Sequence, residues 1–93
     1  MLKVFVKNGC YKCPSAKEVG ESLSKEGLEV YFYDLDTIDG LAEASYYGVL
    51  ATPTLIIEDK DEKTLADFRG VVPTPQQIKE ILFPTQILRS QPI

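Results

Sequence analysis

The chain has 93 residues, fourteen Asp and Glu against ten Lys and Arg, a net charge of −4 and no histidine. A modest acidic excess with no basic cluster excludes the electrostatic footprint of a nucleic-acid binder, and no apolar run approaches the ~20 residues of a membrane span. Without imidazole there is no His general base, Cys–His pair or His metal ligand, so any chemistry falls to the two thiols.

A chain of this size buries roughly two-thirds of its unfolded surface, which permits one compact core. The opening MLKVFVKNG is too short and too strand-like for a secretory signal. These features predict a soluble, cytoplasmic, monomeric protein with one domain over residues 1–83 and a tail over 84–93.

In chain order, Leu2 to Val6 is short, apolar and partly β-branched, and Asn8-Gly9 bounds it. It reads as a buried strand. From Ser15 the pattern turns helical. Ala16, Val19 and Leu23 share one face, Lys17, Glu18, Glu21 and Lys25 take the wet side, Pro14 sits in the first turn, and Gly27 supplies the C-terminal cap. Leu28 to Leu35 (LEVYFYDL) is apolar on both faces and predicts a strand covered on both sides. Strand, helix and strand make a βαβ unit with a right-handed crossover.

Asp36 and Thr37 are both candidate caps for a second helix, with Leu41, Ala44 and Tyr47 on its apolar side and Gly48 at its end. Thr54 to Glu58 reads as a third strand. The acidic turn from Glu58 to Glu62 is expected to be solvated, and Thr64 to Arg69 is the hairpin partner, with Leu65 and Phe68 as its bulky apolar residues. The last helix has Thr74 as N-cap, Pro75 at the first helical position, Gln77 completing a capping box, Ile78, Ile81 and Leu82 as its buried face, and Pro84 as its stop. The tail TQILRSQPI carries no strong signal; it frays, or Ile87 and Leu88 pack back. The order is β-α-β-α-β-β-α. Tyr46 and Tyr47 read as packing or capping residues, and Asp34 and Asp36 as a strand end and a cap.

The chemistry-bearing stretch is GCYKCP, with Cys10 and Cys13 the only cysteines. Three readings compete. A structural staple across so short a loop removes little chain entropy, ~2 kcal/mol at most. A zinc site needs four ligands, and two thiols supply half of them. A reversible disulfide fits the position, since C-x-x-C near a βαβ pattern is a known signature of thioredoxin-like redox proteins. At the strand–helix junction Cys10 lies near unpaired N–H groups and the positive end of the helix macrodipole, which favours thiolate. Lys12 adds positive charge. Cys10 is therefore expected to attack and Cys13, inside the first turn, to resolve.

Four stretches then resemble the thioredoxin/glutaredoxin superfamily over roughly residues 2–83: GCYKCP, YDLDT, YYGVLATPTLII and FRGVVPTPQQIKEIL. The resemblance implies an α/β thioredoxin fold with a four-stranded mixed sheet flanked by helices. It implies that Pro53 is cis and lies beside Cys10, that the Thr52 backbone pairs with an extended substrate chain, and that Tyr11, Lys12, Thr52, Pro53 and Gly70 contact substrate. It also implies a thiol–disulfide oxidoreductase acting on protein disulfides, with no metal and no organic cofactor. Recycling would fall to a thioredoxin-reductase-like or glutathione system.

The chain departs from both branches of the superfamily. It lacks the opening strand and helix of a full thioredoxin and has no Trp, and Val4 stands six residues ahead of Cys10 where thioredoxins bury an acid. Gly70-Val71-Val72-Pro73 replaces the Gly-Gly-x-Asp that binds glutathione in glutaredoxins, which argues against a glutathione site. The mixture is similar to small glutaredoxin-like redoxins that behave as thioredoxins, including those serving ribonucleotide reductase. Two alternatives stand beside it: a glutathione-dependent glutaredoxin, and a non-catalytic binding module of the same fold.

Overall fold

A computed structural model describes residues 1–84; the tail expectations for Ile87 and Leu88 lie outside the described residues. The elements are β1 (Leu2–Val6), α1 (Cys13–Lys25), β2 (Val30–Asp34), α2 (Ile38–Tyr46), β3 (Thr54–Glu58), β4 (Thr64–Arg69) and α3 (Pro75–Leu82). They form one four-stranded sheet in the order β2-β1-β3-β4. β1 runs parallel to β2 and antiparallel to β3, and β3 runs antiparallel to β4. This is the predicted mixed sheet, with the crossover helix α1 joining its parallel pair.

Alternation along β1 divides the core in two. Leu2, Val4 and Val6 point to the side of α1 and α3, where they meet Leu55, Ile57, Ala16, Leu23 and Ile78. Phe5 points to the other side and packs with Ile56, Ala44 and Val49 under α2. Each fully buried Leu, Ile or Phe contributes roughly 1.5–3 kcal/mol, so these two layers drive the collapse. The ends of α3 follow from sequence chemistry. Thr74 accepts from the Gln77 N–H and Gln77 returns a bond to the Thr74 N–H, with Pro75 at the first position.

Several expectations are corrected. The cover over β2 is incomplete: α1 packs on one face and α2 on the other, but β2 is an edge strand, and Tyr31 and Phe32 stay partly exposed. Aromatic side chains tolerate such a half-wet surface. Asp36 does not cap α2: Thr37 accepts from the Gly40 N–H at 3.0 Å, while Asp36 accepts from the Asn8 N–H at 2.9 Å. Leu41 faces solvent, and the buried side of α2 is Gly40 and Ala44. The reason is distance, because a Cβ on Gly40 would lie 1.9 Å from the Asp34 carbonyl oxygen. The helix backbone therefore sits directly on the end of β2. Of the two bulky residues of β4, Phe68 packs toward the core beside Ala66, whereas Leu65 is exposed.

The acidic turn is not solvated throughout. Glu58 is 1% exposed. Lys3 and Ile56 are cross-strand partners, and Glu58 lies two residues from Ile56, hence on the same face as Lys3. Lys3 Nζ donates to Glu43 Oε2 at 2.8 Å and to Tyr47 Oη at 2.6 Å, and Tyr47 donates to Glu58 Oε2 at 2.6 Å. Glu58 Oε1 has no hydrogen-bond donor but lies 3.4 Å from Lys3 Nζ. Burial would lower the Lys3 pKa; the bonds to Glu43 and Tyr47 and the Glu58 charge outweigh it, and the net direction is upward. Tyr47 is also pushed up, first by burial and then by its bond to Glu58.

Candidate active site

Strand register gathers the site at one end of the sheet. Val6 pairs with Asp34, Phe5 with Thr54, and Thr54 with Arg69. The loop after β1, the loop before β3 and the turn after β4 therefore emerge together. They carry Cys10, Thr52-Pro53 and Gly70 in that order.

The cysteine loop is held by backbone bonds. Gly9 has φ +75°, a left-handed turn that suits glycine. The Cys10 N–H donates to the Lys7 carbonyl at 3.4 Å, and the Asn8 N–H is anchored on Asp36. Cys10 and Cys13 form a disulfide with Cα atoms 5.3 Å apart. Their environments differ. Cys13 opens α1, is 3% exposed and belongs to the core that includes Val6 and Ala16; Cys10 is half-buried. No side chain caps α1 and no acidic residue occupies its first turn. The positive end of the helix therefore faces the sulfurs with no acidic residue in its own first turn to offset it.

Thr52-Pro53 is cis, Pro53 is buried, and Thr54 Oγ1 donates to the Ala51 carbonyl at 2.7 Å to close the turn. Gly70 donates its N–H to the Pro53 carbonyl at 2.7 Å. Its φ is +77°, a left-handed conformation that favours glycine. The Gly70 carbonyl accepts from Lys12 Nζ at 3.4 Å. Lys12, Gly70 and Pro53 are thus joined in sequence, and Lys12 follows Cys10 by two residues. Tyr11 stands 95% exposed and reaches away from the fold, and Leu50 beside the Pro53 turn is equally bare.

Two features were not anticipated. Arg69 donates to the Gly48 carbonyl at 3.0 Å and the Tyr47 carbonyl at 3.2 Å, tying β4 to the end of α2 just before the Pro53 turn. Lys3, Glu43, Tyr46, Tyr47, Glu58, Glu62 and Thr64 line a cleft of about 700 Å³ on the α2 side of the sheet. The sequence signal for the second was a lysine interrupting an apolar strand. Among the described residues no group of three or more His, Cys, Asp and Glu side chains is placed to hold a metal ion. No described helix is long and apolar enough to cross a membrane.

The comparisons with known proteins agree with this fold. A probable thioredoxin of Archaeoglobus fulgidus is 36% identical over 61 residues, which span 64% of this chain and 67% of that one. Thioredoxin 1 of Thermosipho africanus superposes with a TM-score of 0.74 over 96% of this chain and 98% of its own, at 20% identity. A thioredoxin-fold protein of Helicobacter pylori superposes with a TM-score of 0.68 over 100% of this chain and 73% of its own, at 23% identity. At such identities these two structures speak for the fold alone. The family model described as the thioredoxin domain matches residues 1–83, and the chain belongs to that family, a thioredoxin-like protein with a redox disulfide between Cys10 and Cys13.

Proposed function

We propose that the protein reduces disulfides of other polypeptides by dithiol exchange, with Cys10 as the attacking sulfur and Cys13 as the resolving one. The observation that carries this reading is the unequal burial of two bonded cysteines at an uncapped helix start. A half-buried sulfur can be approached by a substrate disulfide, whereas its buried neighbour is reached only by the first sulfur.

In the reduced protein, Cys10 thiolate attacks one sulfur of the substrate disulfide. That S–S bond breaks, a Cys10–substrate bond forms, and the other substrate sulfur leaves as a thiolate that takes a proton. Cys13 then loses its proton and attacks Cys10 Sγ. The Cys10–Cys13 bond forms, and the second substrate sulfur departs and is protonated. Two electrons have passed from the protein to the substrate, with one proton from Cys13 and one from solvent. The disulfide described above is the product state, and an external reductase or small thiol restores the dithiol. Nothing in these steps calls for a metal or organic cofactor. Thr52 and Gly70, on loops at the same end of the sheet as the pair, are the backbone positions beside which an extended substrate would lie.

The test is a comparison of substrates. Pre-reduced protein is expected to release the insulin disulfides faster than it reduces a glutathione mixed disulfide. A marked preference for the glutathione substrate would assign a glutaredoxin instead. Failure on both, with binding to polypeptides retained, would leave a docking module of the same fold.

A further inference from the structure

Among the described residues, Lys12 is the one residue of the cysteine loop whose side chain hydrogen-bonds to another loop. Its ammonium rests on the Gly70 carbonyl at 3.4 Å in an exposed position. A bond that long and that wet is displaced at little cost. The Gly70 N–H is already committed to Pro53. A substrate backbone that pairs with Gly70 must therefore use its carbonyl, and Lys12 occupies that carbonyl first.

The charges around the pair sharpen the point. The chain is acidic overall, yet Lys3, Lys7, Lys12 and Lys17 precede its first acidic residue, Glu18. Lys3 is taken up by Glu43 and Glu58 on the far side of β1. Arg69 is held by Asp67 and by the carbonyls of Tyr47 and Gly48. Asp36 is turned onto the Asn8 N–H, and Asp34 Oδ1 accepts from the Asp36 N–H. Among the described residues Lys12 is in no ion pair. The charge standing between the two cysteines is thus a cation whose resting partner is a neutral carbonyl.

We propose that Lys12 selects polypeptide disulfides flanked by an acidic side chain. On docking, its ammonium leaves the Gly70 carbonyl for the substrate carboxylate, and that carbonyl becomes available to a substrate N–H. Lys12 is here a specificity-determining residue, and the bonds made and broken at sulfur are those already written. The inference rests on the exchange reading above.

The experiment uses pre-reduced full chain in single turnover against two disulfide peptides that differ only in an Asp or a Lys beside one cysteine. The Asp peptide is expected to react about fivefold faster or more at low salt, the combined effect of one exposed attraction gained and one repulsion removed. That ratio should shrink in 1 M salt, where the screening length is about 3 Å. Lys12→Gln should bring the ratio below about two, and Lys12→Glu should invert it. Because each ratio is taken within one variant, a change in overall reactivity cancels. Equal rates in the parent protein, or a ratio that survives Lys12→Gln, would overturn the proposal. So would glutathione disulfide outpacing the Asp peptide, since the carboxylate partner would then be a small tripeptide. If neither peptide is reduced, the exchange reading itself falls, and this inference with it.

Discussion

Lys3 Nζ lies 3.4 Å from Glu58 Oε1, and both side chains are almost sealed from water between β1, β3 and α2. Glu43 and the Tyr47 hydroxyl complete the cluster. The pair is weak support for stability as a whole, because two charges lose their hydration to form it. Breaking it is another matter, because one buried charge is then left alone.

Lys3→Met should therefore destabilise the fold by about 3–5 kcal/mol, the usual cost of an orphaned buried charge. The double variant Lys3→Met with Glu58→Leu should be less destabilised than the single one. Denaturant midpoints of the parent, Lys3→Met and the double variant check this, and a double variant as unstable as Lys3→Met or more so would contradict it.

The same cluster sets the alkaline limb of stability. The Lys3 pKa is raised in the folded protein, by bonds that overcome the effect of burial, and the Tyr47 pKa is raised by burial and by Glu58. Both shifts mean that the folded state holds its protons more tightly than the unfolded one. Their contribution is fully present below the unfolded values, about 10 for Tyr and 10.4 for Lys, and is lost as pH rises through the folded values. Stability should be level between pH 6 and 9 as far as these groups are concerned and should decline above about 10. Lys3→Met should flatten that decline, which urea melts across this range would show.

Two buried glycines should respond differently to alanine. At Gly40 the new Cβ would stand 1.9 Å from the Asp34 carbonyl oxygen, which is backbone and cannot step aside. Gly40→Ala should cost about 3 kcal/mol or more as α2 lifts from the sheet. At Gly20 the nearest atom is the Phe32 ring at 2.8 Å, a half-wet side chain on an edge strand that can rotate. There the helix-propensity gain of up to about 1 kcal/mol offsets the crowding, and Gly20→Ala should change stability little. Paired melts of the two variants measure the difference.

Local chemistry made much of this fold legible. The Thr74–Gln77 box, the Gly48 stop, the β1 run and the C-x-x-C at a strand–helix junction each specify their own geometry within a few residues. What was not legible depends on neighbours. Whether β2 is central or at an edge is decided by the partner of β1, and LEVYFYDL reads the same in either place. The burial of Glu58 depends on a cross-strand register with Lys3 across more than fifty residues of chain. Leu41 was a natural core choice by period, but the close approach at Gly40 rotates the helix and leaves Leu41 in water. At the site, the cysteines were visible in sequence, and the cis bond at Pro53 came only through the family resemblance. The Lys12–Gly70–Pro53 chain of bonds needed the loops to be brought together first.

The most direct test of the account is to mix Cys13→Ser with a purified protein disulfide such as insulin and look for a covalent adduct. Without the resolving sulfur, Cys10 is predicted to stay joined to the substrate in a bond that added dithiol cleaves, and Cys10→Ser under the same conditions should form far less. A Cys13→Ser protein that stays unmodified, or a Cys10→Ser protein that is captured equally fast through Cys13, would contradict it.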